Sequence, residues 1–181
     1  THDILTPQMW DGGAAIFAIR AMLAALGAPT WGIYSGYEFV ENEPRGAFQE
    51  PNDNEKYEYR PRDFTEEPNL NLLLGTLNGI REKHQALQQL RDIHFHHAPH
   101  DSVMAYSKHD GDDVVLVVCS LDPDNTVESE VYLDLPALGL PPGAAVEVHD
   151  ELSGDTYIWG EKNWVRLYPG KPAHIFHVTS R

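Results

Sequence analysis

With 181 residues, 28 of them acidic and 13 basic, the chain carries a formal net charge of −15, a field that repels nucleic acid and anionic membranes. Hydrophobic residues at 41% and charged residues at 23% leave material for a packed core and exclude wholesale disorder. No apolar run approaches the roughly 20 residues of a membrane span.

The chain opens on Thr1-His2-Asp3, a His-Asp pair ahead of a loop and a helix. Such a pair either sets a carboxylate at the rim of a barrel strand or leaves Asp3 as a helix-approach residue. With no scaffold before it and no basic or apolar leader, the sequence predicts the tail of a longer polypeptide. Residues 12–26 form a predicted helix: Ile16, Ile19, Leu23 and Leu26 recur at three- and four-residue steps, with Arg20 off the stripe. Gly27 and Pro29 stop it. Residues 30–35, apolar and aromatic up to Gly36, suit a buried parallel strand. A polar loop over 36–67 follows, of a length that in compact domains is functional or disordered. Asn69 is placed to cap a second helix whose apolar face is Leu70, Leu73, Leu74, Leu77 and Ile80. Helix, strand, long loop and helix is the rhythm with which a βα-barrel closes, its functional loops following the strand C-termini.

Near residue 93 the period changes. Short β-rich segments are predicted at 93–97, 103–107, 114–121, 126–135, 145–150, 156–159, 163–168 and 173–178. Turn signals such as His109-Asp110-Gly111-Asp112 and Asp122-Pro123-Asp124-Asn125 separate them. Val131, Leu133 and Leu135 alternate with Tyr132 and Asp134, the pattern of an antiparallel sandwich. The expected fold is therefore α/β followed by all-β: 1–92 the end of a barrel, 93–181 a C-terminal β-sandwich. The single cysteine, Cys119, sits in the apolar run and reads as a small core residue. With no disulfide framework, the chain suits a reducing cytosol.

Three sets of residues could carry chemistry. Tyr34-Ser35-Gly36-Tyr37-Glu38 places aromatic, hydroxyl and carboxylate groups after the predicted strand. Asn54-Glu55-Lys56-Tyr57-Glu58-Tyr59-Arg60-Pro61-Arg62-Asp63 mixes cations, carboxylates and rings, which is either sugar-holding chemistry or a solvated loop pinned by ion pairs. His94, His96, His97 and His100 invite a metal reading, but no cysteine joins them; packing is the expectation, with no metal and no cofactor. Trp159 and Trp164 flank a turn and are either core residues or sugar platforms.

Those same segments resemble a known family. Thr1-His2-Asp3-Ile4-Leu5-Thr6-Pro7, the stretch Ala28-Pro29-Thr30-Trp31-Gly32-Ile33-Tyr34-Ser35-Gly36-Tyr37-Glu38, the Lys56-Tyr57 loop and Ile80-Arg81-Glu82-Lys83-His84-Gln85-Ala86-Leu87 are together similar to the α-1,4-glucan:maltose-1-phosphate maltosyltransferases of the α-amylase clan. The resemblance implies the last units of a (β/α)8 barrel plus a sandwich. Asp3 would be a catalytic transition-state stabiliser and His2 a hydrogen-bond partner of the same sugar ring. Lys56 and Tyr57 would bind the neighbouring glucose. Glu38, Arg60 and Arg62 would order the loop. The resemblance further implies maltose 1-phosphate as donor, an α-1,4-glucan acceptor, a cytoplasmic homodimer, and a nucleophile and acid/base upstream of these residues. An α-amylase-type hydrolase, a trehalose-forming isomerase and a non-catalytic carbohydrate-binding sandwich are the alternatives.

Overall fold

The structure, a computed structural model, describes residues 4–46, 49–52 and 59–180. The N-terminal half is helical. A short helix α1 (Pro7–Asp11), opened by Pro7 at its first position, runs into α2 (Gly13–Gly27). The break lies at Gly12-Gly13. A Cβ on Gly12 would stand 2.7 Å from the Gln8 carbonyl, and Gly13 has φ of 54°. Helix α2 buries more than the predicted stripe: Phe17, Ala18, Ala21 and Met22 join Ile16, Ile19 and Leu26. It does so because α1, α3 (Asn71–Lys83) and the sheet all pack around it.

Helix α3 presents the expected face, with Leu74, Leu77 and Ile80 buried and Leu73 packed beside them. Asn69 contributes one residue outside the cap itself, its Oδ1 accepting from the Asn71 backbone N–H at 3.0 Å. The run at 30–35 is not a strand. A strand exists by pairing, and among the described residues no strand lies alongside this run. Its polar groups are used singly instead: Trp31 Nε1 donates to Asn78 Oδ1 at 3.1 Å, and Ser35 Oγ accepts from Arg62 at 2.8 Å.

From residue 93 the chain is antiparallel sheet. The strands are β1 (Ile93–His96), β2 (Val103–Asp110), β3 (Asp113–Ser120), β4 (Val127–Tyr132), β5 (Val146–Asp150), β6 (Thr156–Trp159), β7 (Lys162–Leu167) and β8 (Ala173–Ser180). Six form one sheet in the order β1-β2-β3-β8-β5-β6, and β4 pairs with β7 in a second. The β2–β3 hairpin closes at the Asp110–Asp113 pair, where Gly111 supplies the positive φ of 58° that the tight turn demands.

Three layers result. On β3, Val115, Val117 and Cys119 point into the cluster shared with the helices, whereas Leu116 and Val118 point into the cluster beneath β4 and β7. Strand β8 divides the same way, Ala173 and Ile175 to the helices, Phe176 and Val178 to the second sheet. An alternating strand with both faces covered must be apolar throughout, which explains the run at 114–120. Cys119 is fully buried, and burial pushes its thiol up to about 12, so it is a core side chain rather than a nucleophile. Trp159 belongs to the sandwich core, its ring 4.7 Å from that of Phe176, whereas Trp164 is 60% exposed. No helix among the described residues is long and apolar enough to cross a membrane.

Candidate functional site

The residues singled out for catalysis and sugar binding, His2, Asp3, Lys56 and Tyr57, lie outside the described residues. Their flanks do not. Leu5 follows Asp3 closely and is tied to the long loop through its N–H, which donates to the Gln49 carbonyl at 2.6 Å. Leu5, Arg20, Trp31, Tyr34, Tyr37 and Glu41 line a hollow of about 230 Å3. The segment carrying Asp3 and the start of the loop carrying Lys56 thus border one cavity.

The loop start is held by a compact polar knot. Gly36, at φ of 99°, turns the chain, and its N–H donates to the buried Glu38 carboxylate at 3.0 Å. The Leu70 N–H donates to the Glu38 carbonyl at 2.7 Å, so the loop is fastened to the start of α3. A Cβ at Gly36 would lie 2.1 Å from a Glu41 carboxylate oxygen, so a side chain there would push that carboxylate aside. Arg62 grips Glu41 with both arms of its guanidinium, at 2.8 and 3.1 Å, and reaches Ser35 Oγ. Arg60 adds a longer ion pair to Glu41 at 3.7 Å. The expectation that Glu38, Arg60 and Arg62 order the loop is consistent with these contacts.

Glu41 was not singled out in the sequence. It is one of several acids after Gly36, and no spacing separates the guanidinium's partner from its neighbours. Its pairing makes it a clamp and not a free carboxylate. Tyr37 also serves as structure: its hydroxyl donates to the Phe17 carbonyl at 2.6 Å, and burial raises its pKa well above the usual phenol range.

The histidines sort into two groups. His94 and His96 share a face of β1, as expected, with ring centroids 5.1 Å apart. His96 Nδ1 accepts from the Asp134 N–H at 3.2 Å, so its Nε2 carries the proton toward Ser107 Oγ at 3.0 Å. Both nitrogens are therefore in use. Burial first, then the His94 charge, push the His96 pKa down to about 4, against a smaller upward pull from Asp134. The folded state thus takes up the His96 proton later than the unfolded chain as pH falls. The associated stability is present above about pH 6.5 and drains away toward pH 4, to a total of about 3 kcal/mol. Replacing His96 by glutamine should flatten the pH dependence of the melting temperature between those limits; an unchanged slope would assign it to another group.

The second group holds the helices to the sheet. His84, at the end of α3 and 2% exposed, places Nδ1 2.7 Å from Asp113 and Nε2 3.3 Å from Glu151. Asp113 also accepts from the Ala86 N–H at 2.9 Å, and Lys83 pairs with Glu151 at 2.5 Å. His177 brings a third ligating side chain near His84 and Asp113, their ligand atoms lying within 4.8 Å of one another. Arg81, beside this seam, donates to the carbonyls of Ala25, Ala28, Pro29 and Leu87. These contacts give the segment from Ile80 to Leu87 a role in joining the two halves.

Comparison with known proteins bears on this arrangement. The sequence family described as GLGE, C-terminal, matches residues 95–178. Maltosyltransferase 2 of Streptomyces coelicolor, named for α-1,4-glucan and maltose 1-phosphate, is 52% identical over 98% of this chain. The Corynebacterium glutamicum enzyme of the same name is 50% identical over 97%, and that of Mycobacterium tuberculosis 43% over 99%. The match lies at the C-terminal end of these proteins. By sequence, the chain is similar to the C-terminal end of the α-1,4-glucan:maltose-1-phosphate maltosyltransferases. It spans about a quarter of their length, 28% of the Streptomyces protein and 27% of the other two. Among solved structures, AmyP bound to maltotriose superposes with a TM-score of 0.67 at 17% identity, covering 99% of this chain and 40% of AmyP. The maltogenic α-amylase AmyB of Thermotoga neapolitana gives 0.66 at 14%, covering 92% and 37%. At such identities the likeness concerns the fold, and it sets this antiparallel β region with its few helices among the α-amylase-type structures.

Proposed function

We propose that the chain is the C-terminal part of a retaining maltosyltransferase that moves maltosyl from α-maltose 1-phosphate to the 4-hydroxyl ending an α-1,4-glucan, releasing phosphate. The observation that carries this reading is the 52% identity over nearly the whole chain, including the stretches on both sides of the hollow, to a protein named for that donor and acceptor. Residues 1–92 then supply the last units of a (β/α)8 barrel and 93–181 the terminal sandwich, in a cytoplasmic homodimer.

A retaining transfer needs a carboxylate nucleophile that displaces phosphate from C1, and an acid/base carboxyl that later takes the acceptor's hydroxyl proton. Both are assigned to residues outside 1–181. This chain contributes Asp3, whose negative charge opposes the positive charge developing on the sugar, and His2 beside the same ring. Lys56 and Tyr57 hold the second glucose, so the unit transferred is maltosyl and not glucosyl. The clamp of Gly36, Glu38, Glu41 and Arg62 keeps the start of that loop in register with the cavity. Residues 1–181 alone should show no transfer.

The test is to give the parent polypeptide maltose 1-phosphate and a short maltooligosaccharide, following phosphate and chain length together. Products growing by two glucose units, with that step size or donor use impaired when Lys56 and Tyr57 are both alanine, support the assignment. Free maltose without elongation moves it to a hydrolase. Unimpaired use of maltose 1-phosphate by the double variant removes the role given to the pair.

A further inference from the structure

The outward face of the β4–β7 sheet has a composition that packing does not explain. Both strands alternate. Val127, Ser129, Val131, Val165 and Leu167 point inward and are buried, which leaves Glu128, Glu130, Tyr132, Lys162, Trp164 and Arg166 outside. The register sets Glu130 opposite Trp164, Glu128 opposite Arg166 and Tyr132 opposite Lys162. Lys162 pairs with Glu130 at 2.7 Å and Arg166 with Glu128 at 3.5 Å. Two anions and two cations therefore cancel, making this face locally neutral on a chain of net charge −15.

Trp164 stands in the middle of this ladder with 60% of its surface exposed. It lines two hollows at once. One, of about 280 Å3, continues to Tyr157, Arg166 and His174; the other, a shallow open depression, continues to His100, Glu128 and Glu130. A solvated charge ladder has no need of an indole at its centre, and an exposed indole between two hollows offers a flat apolar platform to a ligand. The platform is rimmed by carboxylates, a guanidinium and an imidazole, which are hydrogen-bonding partners for hydroxyls. Nucleic acid is disfavoured because both cations here are already paired and the chain is acidic. A protein partner would have to desolvate four charges in the centre of its interface, where charged residues are normally depleted. A neutral polyhydroxylated chain pays neither cost, and its pyranose faces stack on an aromatic ring.

We infer that this face, centred on Trp164 and bounded by Tyr157 and Glu130, binds a segment of α-1,4-glucan. The identity of the polymer rests on the functional reading above; the site itself rests on the ladder, the indole and the paired hollows. It tethers the polymer to the sandwich and raises the local concentration of its chain ends.

The test is affinity electrophoresis of the parent polypeptide through gels containing soluble α-1,4-glucan, with an α-1,6-linked dextran gel as control. Trp164→Ala should weaken retardation by about tenfold, the contribution of one stacking anchor. Trp164→Phe should retain most of it. In both variants the melting temperature and transfer to a short acceptor should be unchanged, since the indole is an exposed side chain. Equal retardation of wild type and Trp164→Ala, equal retardation in dextran, or no retardation of the wild type overturns the inference. Phosphate release is read on the same preparations. A parent that releases no phosphate from maltose 1-phosphate refutes the functional reading while leaving the gel result to decide this one.

Discussion

Replacing Asp150 by alanine is expected to cost about 3–5 kcal/mol of stability, the range for removing one partner from a buried ion pair. Asp150 ends β5 with no exposed surface. Its carboxylate accepts from the N–H of Leu152 at 3.1 Å, the Ser153 hydroxyl at 3.0 Å and His174 Nδ1 at 2.8 Å, and it pairs with Lys171 at 3.1 Å. Alanine would leave His174 Nδ1 and the Leu152 N–H without this acceptor and Lys171 without its buried counter-charge. Burial by itself would raise the carboxyl pKa, but the bonds from His174 and Lys171 and the Leu152 N–H outweigh it and hold the pKa well below the usual range. The unfolded chain, titrating near about 3.9, therefore binds this proton before the folded one. The contribution is complete above about pH 4 and is lost as pH falls below it. Denaturant unfolding should show a wild-type advantage that is constant near neutral pH and shrinks toward about pH 2. An advantage that persists undiminished in acid would place the effect in packing and not in the carboxylate.

Replacing Asp3 by alanine in the parent polypeptide is expected to lower kcat for phosphate release by about 10²–10³-fold, or roughly 3–4 kcal/mol of barrier. An oxocarbenium-like transition state gains positive charge that the ground-state sugar lacks, so a carboxylate aimed at that ring acts mainly on kcat. Asp3→Asn keeps the shape and removes the charge, and should be nearly as slow. The expected signature is a fall in kcat and kcat/KM together. A rise in KM for maltose 1-phosphate at unchanged kcat would make Asp3 a binding residue.

The sandwich was legible in the sequence because its strands are written in alternation and turn residues. All eight predicted segments became strands, with ends moved by a few residues, as where β2 runs on to Asp110 to meet Asp113. The run at 30–35 had the same apolar character and failed, since composition says nothing about whether a pairing strand lies beside it. The site was less legible than the fold. Arg62 stood out in its motif, but its partner Glu41 did not, because a bidentate pair across 21 residues follows from the turn at Gly36 and from no local period. The two tryptophans flanking the β6–β7 turn look alike on paper. One faces Phe176 and the other faces water, and only the strand register separates them.

The two-sided burial of β3 and β8 bears on how this sandwich could be inherited or engineered. A chain cut at 92/93 would keep every hydrogen bond of both sheets, yet it would uncover Tyr106, Val115, Val117, Cys119 and Ile175 along one broad face. It would also leave Asp113 and Glu151 without His84 and Lys83. Such a piece is a sticky module, prone to self-association through that face. The sandwich therefore travels with α2, α3 and the His84 seam attached, and the point where the sequence changes period is not a place to divide the chain.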